Sequence, residues 1–212
     1  MENLRLGILG SGKGSNYRAI QEAILHDSLP AETSIVISDV ESAGILAAAR
    51  HYGIPAHYVP PGRFRTKLEP EAEQRVVHLL QQARADLIIL AGYMRMVKAP
   101  LLDAFPGRII NIHPSLLPSF PGLEAWKQAL AAGVPETGCT VHYVDRGMDT
   151  GPIIAQRRVP ILPTDTPETL HARIQLAEHE VYPQVVRDLA LRAKGPCQAS
   201  PGQRPGLIGR TG

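Results

Sequence analysis

The feature that most limits the fold is an alternation along the chain. Short apolar runs at 4–9, 34–37, 56–59, 87–91 and 108–112 are separated by helix-like stretches at 15–26, 43–51, 69–84 and 99–105. Strand-helix-strand order of this kind needs crossovers that return each strand parallel to the last, with helices on both faces of the sheet. The runs Leu87-Ile-Ile-Leu-Ala91 and Ile109-Ile-Asn-Ile112 lack alternation, as strands covered on both faces require, and belong near the sheet centre. A helix at about 124–132, strand-like runs at 138–144 and 152–160, and a long helix over about 167–191 complete the pattern. The expected class is α/β: a Rossmann-like, mostly parallel sheet with mixed C-terminal strands and a long C-terminal helix.

Length and composition narrow the choices. At 212 residues and 44% hydrophobic content the chain suits one compact domain, expected over 1–190. A flexible tail is expected over 191–212, because eight of the eighteen residues from Gly195 onward are Gly or Pro. The net charge is +2, but Arg192, Lys194, Arg204 and Arg210 all fall in 189–212 with no acid beside them. The body before them is therefore slightly acidic and unsuited to nucleic acid. Two cysteines, Cys139 and Cys197, make neither a disulfide framework nor a zinc signature, and no stretch approaches the ~20 apolar residues of a membrane span. A cytoplasmic protein with no membrane association and no metal is expected.

The first apolar run leads into Gly10-Ser-Gly-Lys-Gly-Ser-Asn16 and then a helix. Open α/β sheets present backbone N–H groups and a positive helix end to anions at such a turn. A P-loop would need Ser or Thr at Gly14, and a dinucleotide fingerprint would need glycine at Ser15, with Asp39 the one candidate ribose acid. Both patterns miss by one position. The phosphate of a small ligand is the functional reading, and plain turn chemistry with Ser15 or Asn16 as helix N-cap is the structural one.

The most informative stretch is Asn111-Ile-His-Pro-Ser-Leu-Leu-Pro118, at the C-terminal end of a buried strand where such sheets bind ligands. Alternation puts Asn111 and His113 on one side, and Pro114 keeps His113 extended. An amide and an imidazole held together suit acyl transfer: the oxygen that gains charge receives N–H donors, and the imidazole moves a proton. Ser115 has no second base for a hydrolase triad. Asp145-Arg-Gly-Met-Asp149-Thr-Gly-Pro152 is a loop able to bring a carboxylate to His113. It does not suit calcium, since Gln156 stands where a bidentate Glu is needed.

Gly14-Ser-Asn16, Ala91-Gly-Tyr-Met-Arg95, Asn111-Ile-His113-Pro-Ser-Leu-Leu-Pro and Asp149-Thr-Gly-Pro-Ile together resemble the phosphoribosylglycinamide formyltransferase family of folate-dependent enzymes, over roughly residues 4 to 190. The resemblance implies transfer of the formyl group of 10-formyltetrahydrofolate, as cosubstrate, to the amine of glycinamide ribonucleotide in purine biosynthesis, by a monomer or homodimer. It implies that Asn111 binds the formyl oxygen, His113 donates a proton and Asp149 supports His113. Gly14, Ser15 and Asn16 would hold the acceptor's phosphate, and Glu178 its ribose or amine side. Lys67, Met94, Arg95, Met96 and Val97, with Asn111, would line the folate site. Lys67 stands where the family has arginine, and Lys13 where some members have asparagine. Methionyl-tRNA formyltransferases resemble a larger protein with a basic C-terminal domain, and formyltetrahydrofolate hydrolases carry an extra N-terminal domain. A non-catalytic nucleotide-binding module would need the glycine turn alone.

Overall fold

A computed structural model describes residues 3–194. Seven strands form one sheet in the order β3-β2-β1-β4-β5-β6-β7. They are β1 (Leu4–Leu9), β2 (Ala31–Ser38), β3 (Ala56–Tyr58), β4 (Leu87–Leu90), β5 (Ile109–His113), β6 (Glu136–Tyr143) and β7 (Ile153–Pro160). The first five pair in parallel, whereas β6 runs antiparallel to β5 and β7 antiparallel to β6. The helices are α1 (Ser15–His26), α2 (Gly44–His51), α3 (Pro70–Gln82), α4 (Ala99–Ala104), α5 (Ala125–Ala131) and α6 (Pro167–Lys194).

The two faces of the sheet have separate cores. Leu6 and Ile8 of β1, Ile89 of β4 and Ile110 and Ile112 of β5 pack with Tyr17 and Ile20 of α1, Ile45 of α2 and Ile174 and Tyr182 of α6. Leu9, Ile88, Leu90 and Ile109 point the other way, onto Val76, Val77 and Leu80 of α3 and Leu101 of α4. This is the physical reason for the unbroken apolar runs: both faces of the central strands are covered, and each large apolar side chain contributes roughly 1.5–3 kcal/mol on full burial. The sequence reverses direction between β1 and β4, which are neighbours. Doubly wound sheets bind ligands outside the C-terminal strand ends at such a switch point.

Element type and order agree with the sequence reading, and the differences lie at boundaries. β2 begins at Ala31 instead of 34, because Ala31, Glu32 and Thr33 pair with Leu4, Arg5 and Leu6 before an irregularity at Leu6/Gly7 shifts the register. β5 extends to His113, so the histidine belongs to the strand itself. α6 continues through 191–194, and the remainder of the expected tail, 195–212, lies outside the described residues. Among the described residues no helix is long and apolar enough to cross a membrane, and no group of three His, Cys, Asp or Glu is placed to hold a metal.

Candidate active site

A cavity of about 400 Å³ sits beyond the ends of β4 and β5. The loop after β4 (92–97), the end of β5, the turn into α5 and the β6–β7 loop all contribute to its wall. Asn111 and His113 reach it together, as their alternation requires.

The β5 histidine is held from two sides. His113 Nε2–H donates to the Phe120 carbonyl at 2.9 Å, and Nδ1 lies 3.4 Å from Asp149 Oδ2. A ring carrying a proton on each nitrogen satisfies both oxygens. The loop from Asp145 does bring its second carboxylate over the sheet end. Asp149 takes a left-handed backbone (φ 56°), and its Oδ2 accepts the Gly122 N–H at 2.9 Å. For a residue other than glycine this conformation carries strain, which the loop must hold in place.

His142 is a site residue that the sequence reading missed. It pairs with Asn111 across β5 and β6, and its Nδ1–H donates to the Tyr143 carbonyl at 2.8 Å. Nε2 is then the acceptor, 3.3 Å from Asn111 Nδ2, and it lies 3.8 Å from Asp149 Oδ1. Burial pushes the His142 pKa down, which keeps the ring neutral and suited to that acceptor role. One Asn111 amide hydrogen is thereby fixed on His142, and the other is left for an oxygen in the cavity. The sequence signal was weak, because a histidine within an apolar strand reads as core until the β5–β6 register is known.

The loop between Pro114 and Pro121 is tied down from below. Thr140 Oγ donates to the Ser115 carbonyl at 2.6 Å and accepts the Leu117 N–H at 3.0 Å. Gln156 Nε2 donates to the Leu117 carbonyl and to Thr140 Oγ, each at 2.9 Å. Ser115 Oγ donates to the Ser119 carbonyl at 2.6 Å, so this hydroxyl is structural and no serine nucleophile is present there. Cys139 is buried as well, its thiol pushed up to about 12 by desolvation, and it offers no thiolate.

At the glycine turn, Gly14 is the N-cap of α1, in place of Ser15 or Asn16. Its φ of 78° suits glycine, and a Cβ there would meet Ile45 at 2.8 Å. No side chain caps the helix and no acid occupies its first turn, so the leading N–H groups stay open to an anion. The Asn16 side chain, however, does not face that opening. Its Nδ2 donates to Glu178 Oε2 at 2.8 Å, inside the contact between α1 and α6, and its Oδ1 is buried without a partner. Desolvation pushes Glu178 up to about 7, moderated by the Asn16 hydrogen bond. Tyr182, one turn further along α6, shares its hydroxyl proton between the carbonyls of Leu90 (3.0 Å) and Ile110 (3.2 Å), which sets Glu178 close to the ends of β4 and β5.

The expected folate residues divide into two groups. Met94, Arg95, Met96 and Val97 line the cavity, with Met94 62% exposed at its rim. The Arg95 guanidinium is engaged by protein, bonding Asp39 Oδ2 at 2.7 Å and the carbonyls of Phe64 and Arg65 at 2.6 Å. Arg95 thus straps two loops together. Asp39 also accepts from Ser11 Oγ, and Ser11 Oγ accepts the Met94 N–H, so the glycine turn and the 92–97 loop share one network. Lys67 forms a bridge with Met96, but its ammonium lies 4.5 Å from the centre of the Phe64 ring and does not line the cavity, whereas Thr66 does.

Residues 4–186 match the formyl transferase family. The chain is 43% identical over 185 residues to the phosphoribosylglycinamide formyltransferase of Bacillus subtilis, covering 87% of this chain and 94% of that one. The chain belongs to the phosphoribosylglycinamide formyltransferase family. It superposes on the crystal structure of glycinamide ribonucleotide transformylase 1 from Symbiobacterium toebii with a TM-score of 0.85 at 45% identity, covering 90% of this chain and 89% of that one. The trifunctional purine biosynthetic protein adenosine-3 of Drosophila pseudoobscura is 47% identical over 90% of this chain, which spans 14% of that longer protein.

Proposed function

We propose that the protein transfers the formyl group of 10-formyltetrahydrofolate to the amine of glycinamide ribonucleotide, as a cytoplasmic enzyme of purine biosynthesis acting as a monomer or homodimer. The observation that carries this reading is the arrangement at the end of β5. His113 is fixed between the Phe120 carbonyl and Asp149, beside an Asn111 amide with one N–H free for the cavity.

The acceptor amine attacks the formyl carbon, and a C–N bond forms as the carbonyl electrons move to oxygen. The free Asn111 N–H donates to that oxygen, and His113 adds a second donor when its Nε2–H turns from the Phe120 carbonyl to it; fixed donors help most at this step. The amine's proton passes toward the His113–Asp149 pair. The bond from carbon to the folate nitrogen breaks, its electron pair stays on that nitrogen, and a proton from the pair neutralises it. The apolar residues Met96, Val97, Leu90 and Val144 with a few polar groups give the kind of wall an aromatic heterocycle needs. The open N–H groups at Gly14, Ser15 and Asn16 suit the acceptor's phosphate. Asn16 contributes its backbone there, while its amide orients Glu178 toward the ribose side. Met94 to Val97 serve the folate, with Arg95 and Lys67 shaping the loops that hold it.

The test is acceptor dependence. Purified protein is expected to form deformylated folate only when glycinamide ribonucleotide is supplied. Equal turnover without it would make the protein a formyltetrahydrofolate hydrolase, and no turnover with binding of nucleotide alone would make it a non-catalytic module.

A further inference from the structure

Trp126, the only tryptophan of the chain, lines the cavity from the first turn of α5. One face of its indole lies flat on the His171 ring, with centroids 3.7 Å apart and planes 2° apart. Burial lowers the His171 pKa, so near neutral pH two uncharged rings stack. With that face covered, the cavity receives the other face or the edge of the indole.

Which end of the cavity this wall serves follows from the two cores. Trp126 packs with the α1 and α6 side of the sheet, whereas Tyr93 and Val97 of the 92–97 loop pack with the α3 and α4 side. His171 stands seven residues before Glu178 on α6, and two turns of helix return a residue to the same stripe. The Trp126–His171 stack, whose indole lines the cavity, and the buried Asn16–Glu178 pair are therefore anchored two turns apart on one stripe of α6.

We propose that Trp126 is a substrate-contacting residue that selects the acceptor, its indole packing against the sugar and amide of the ribonucleotide, and that His171 is the positioning residue that holds the ring flat. Aromatic faces pack well against the C–H face of a furanose, and a ring fixed by a second ring loses little freedom on binding. The proposal rests on the formyl-transfer reading above.

The experiment has two arms. In the wild type, Trp126 emission, excited selectively over tyrosine, is titrated with glycinamide ribonucleotide, and a saturable change is expected. In steady-state kinetics, Trp126→Ala is expected to raise the acceptor KM ~10-fold with the folate KM within about twofold, Trp126→Phe to recover most of the loss, and His171→Ala to raise the acceptor KM ~3-fold with kcat retained. A rise confined to the folate KM, or unchanged acceptor KM with silent emission, overturns the proposal. If Trp126→Ala does not fold, the phenylalanine variant and the wild-type titration decide. Absence of acceptor-dependent turnover in the wild type defeats the reading of function instead, so the two failures are distinguishable.

Discussion

The glycine turn before α1 and the cluster at the end of β5 are two different ways of building a site. At the turn the working groups are backbone N–H, made available by one left-handed glycine and the absence of any capping side chain. At the strand end they are side chains from β5, β6 and the β6–β7 loop, each oriented by a partner far away in sequence. In the proposed function the turn places a ligand and the cluster performs chemistry, so damage to one should weaken binding and damage to the other should slow turnover.

The largest effect expected is at the cluster. Asp149→Asn keeps the Gly122 contact possible but removes the charge facing His113, and kcat should fall at least ~100-fold with KM values little changed, as measured by initial rates. Near-wild-type turnover would take Asp149 out of the mechanism. At the α1–α6 contact, Glu178→Gln should abolish a pH-dependent part of stability. Between the ordinary 4.5 and about 7, folded Glu178 keeps a proton that the unfolded chain releases. The wild type should therefore lose roughly 3 kcal/mol relative to the variant as pH rises across that window, and nothing further above it. Denaturant midpoints at several pH values read this directly, and parallel curves would contradict it.

Gly14→Ala places a Cβ 2.8 Å from Ile45 at a positive φ. A loss of about 2 kcal/mol in stability is expected, together with a raised acceptor KM and an unchanged folate KM. A raised folate KM instead would break the division between the two regions. The smallest effect is at His142→Ala, which frees the Asn111 amide. Kinetics should show a loss of roughly fivefold to tenfold in kcat, the scale of one orienting hydrogen bond.

The difference between these regions also accounts for what was legible in the sequence. The unbroken runs of β4 and β5 announce a doubly covered sheet, and the alternation of Asn111 and His113 places both on one side without any knowledge of the fold. Gly14 was legible as part of a turn, but whether it or Ser15 caps the helix depends on Ile45, thirty-one residues away. His142 was hidden because its role exists only through the antiparallel register with Asn111. Arg95 lines the cavity, yet its guanidinium is taken by Asp39, a residue the sequence suggested only as a ribose ligand. Lys67 followed the resemblance, and the nearby Phe64 ring holds its ammonium elsewhere. Periodicity reports which face a residue occupies; charge partners across loops are set by tertiary packing.

In the proposed mechanism His113 and Asp149 act as one unit on the formyl group. A double-mutant cycle on kcat with His113→Ala and Asp149→Asn measures it most directly. If the pair works as a unit, each single variant falls by at least ~100-fold and the double variant falls no further than the worse single one. Losses that multiply would show two independent contributions and contradict the account.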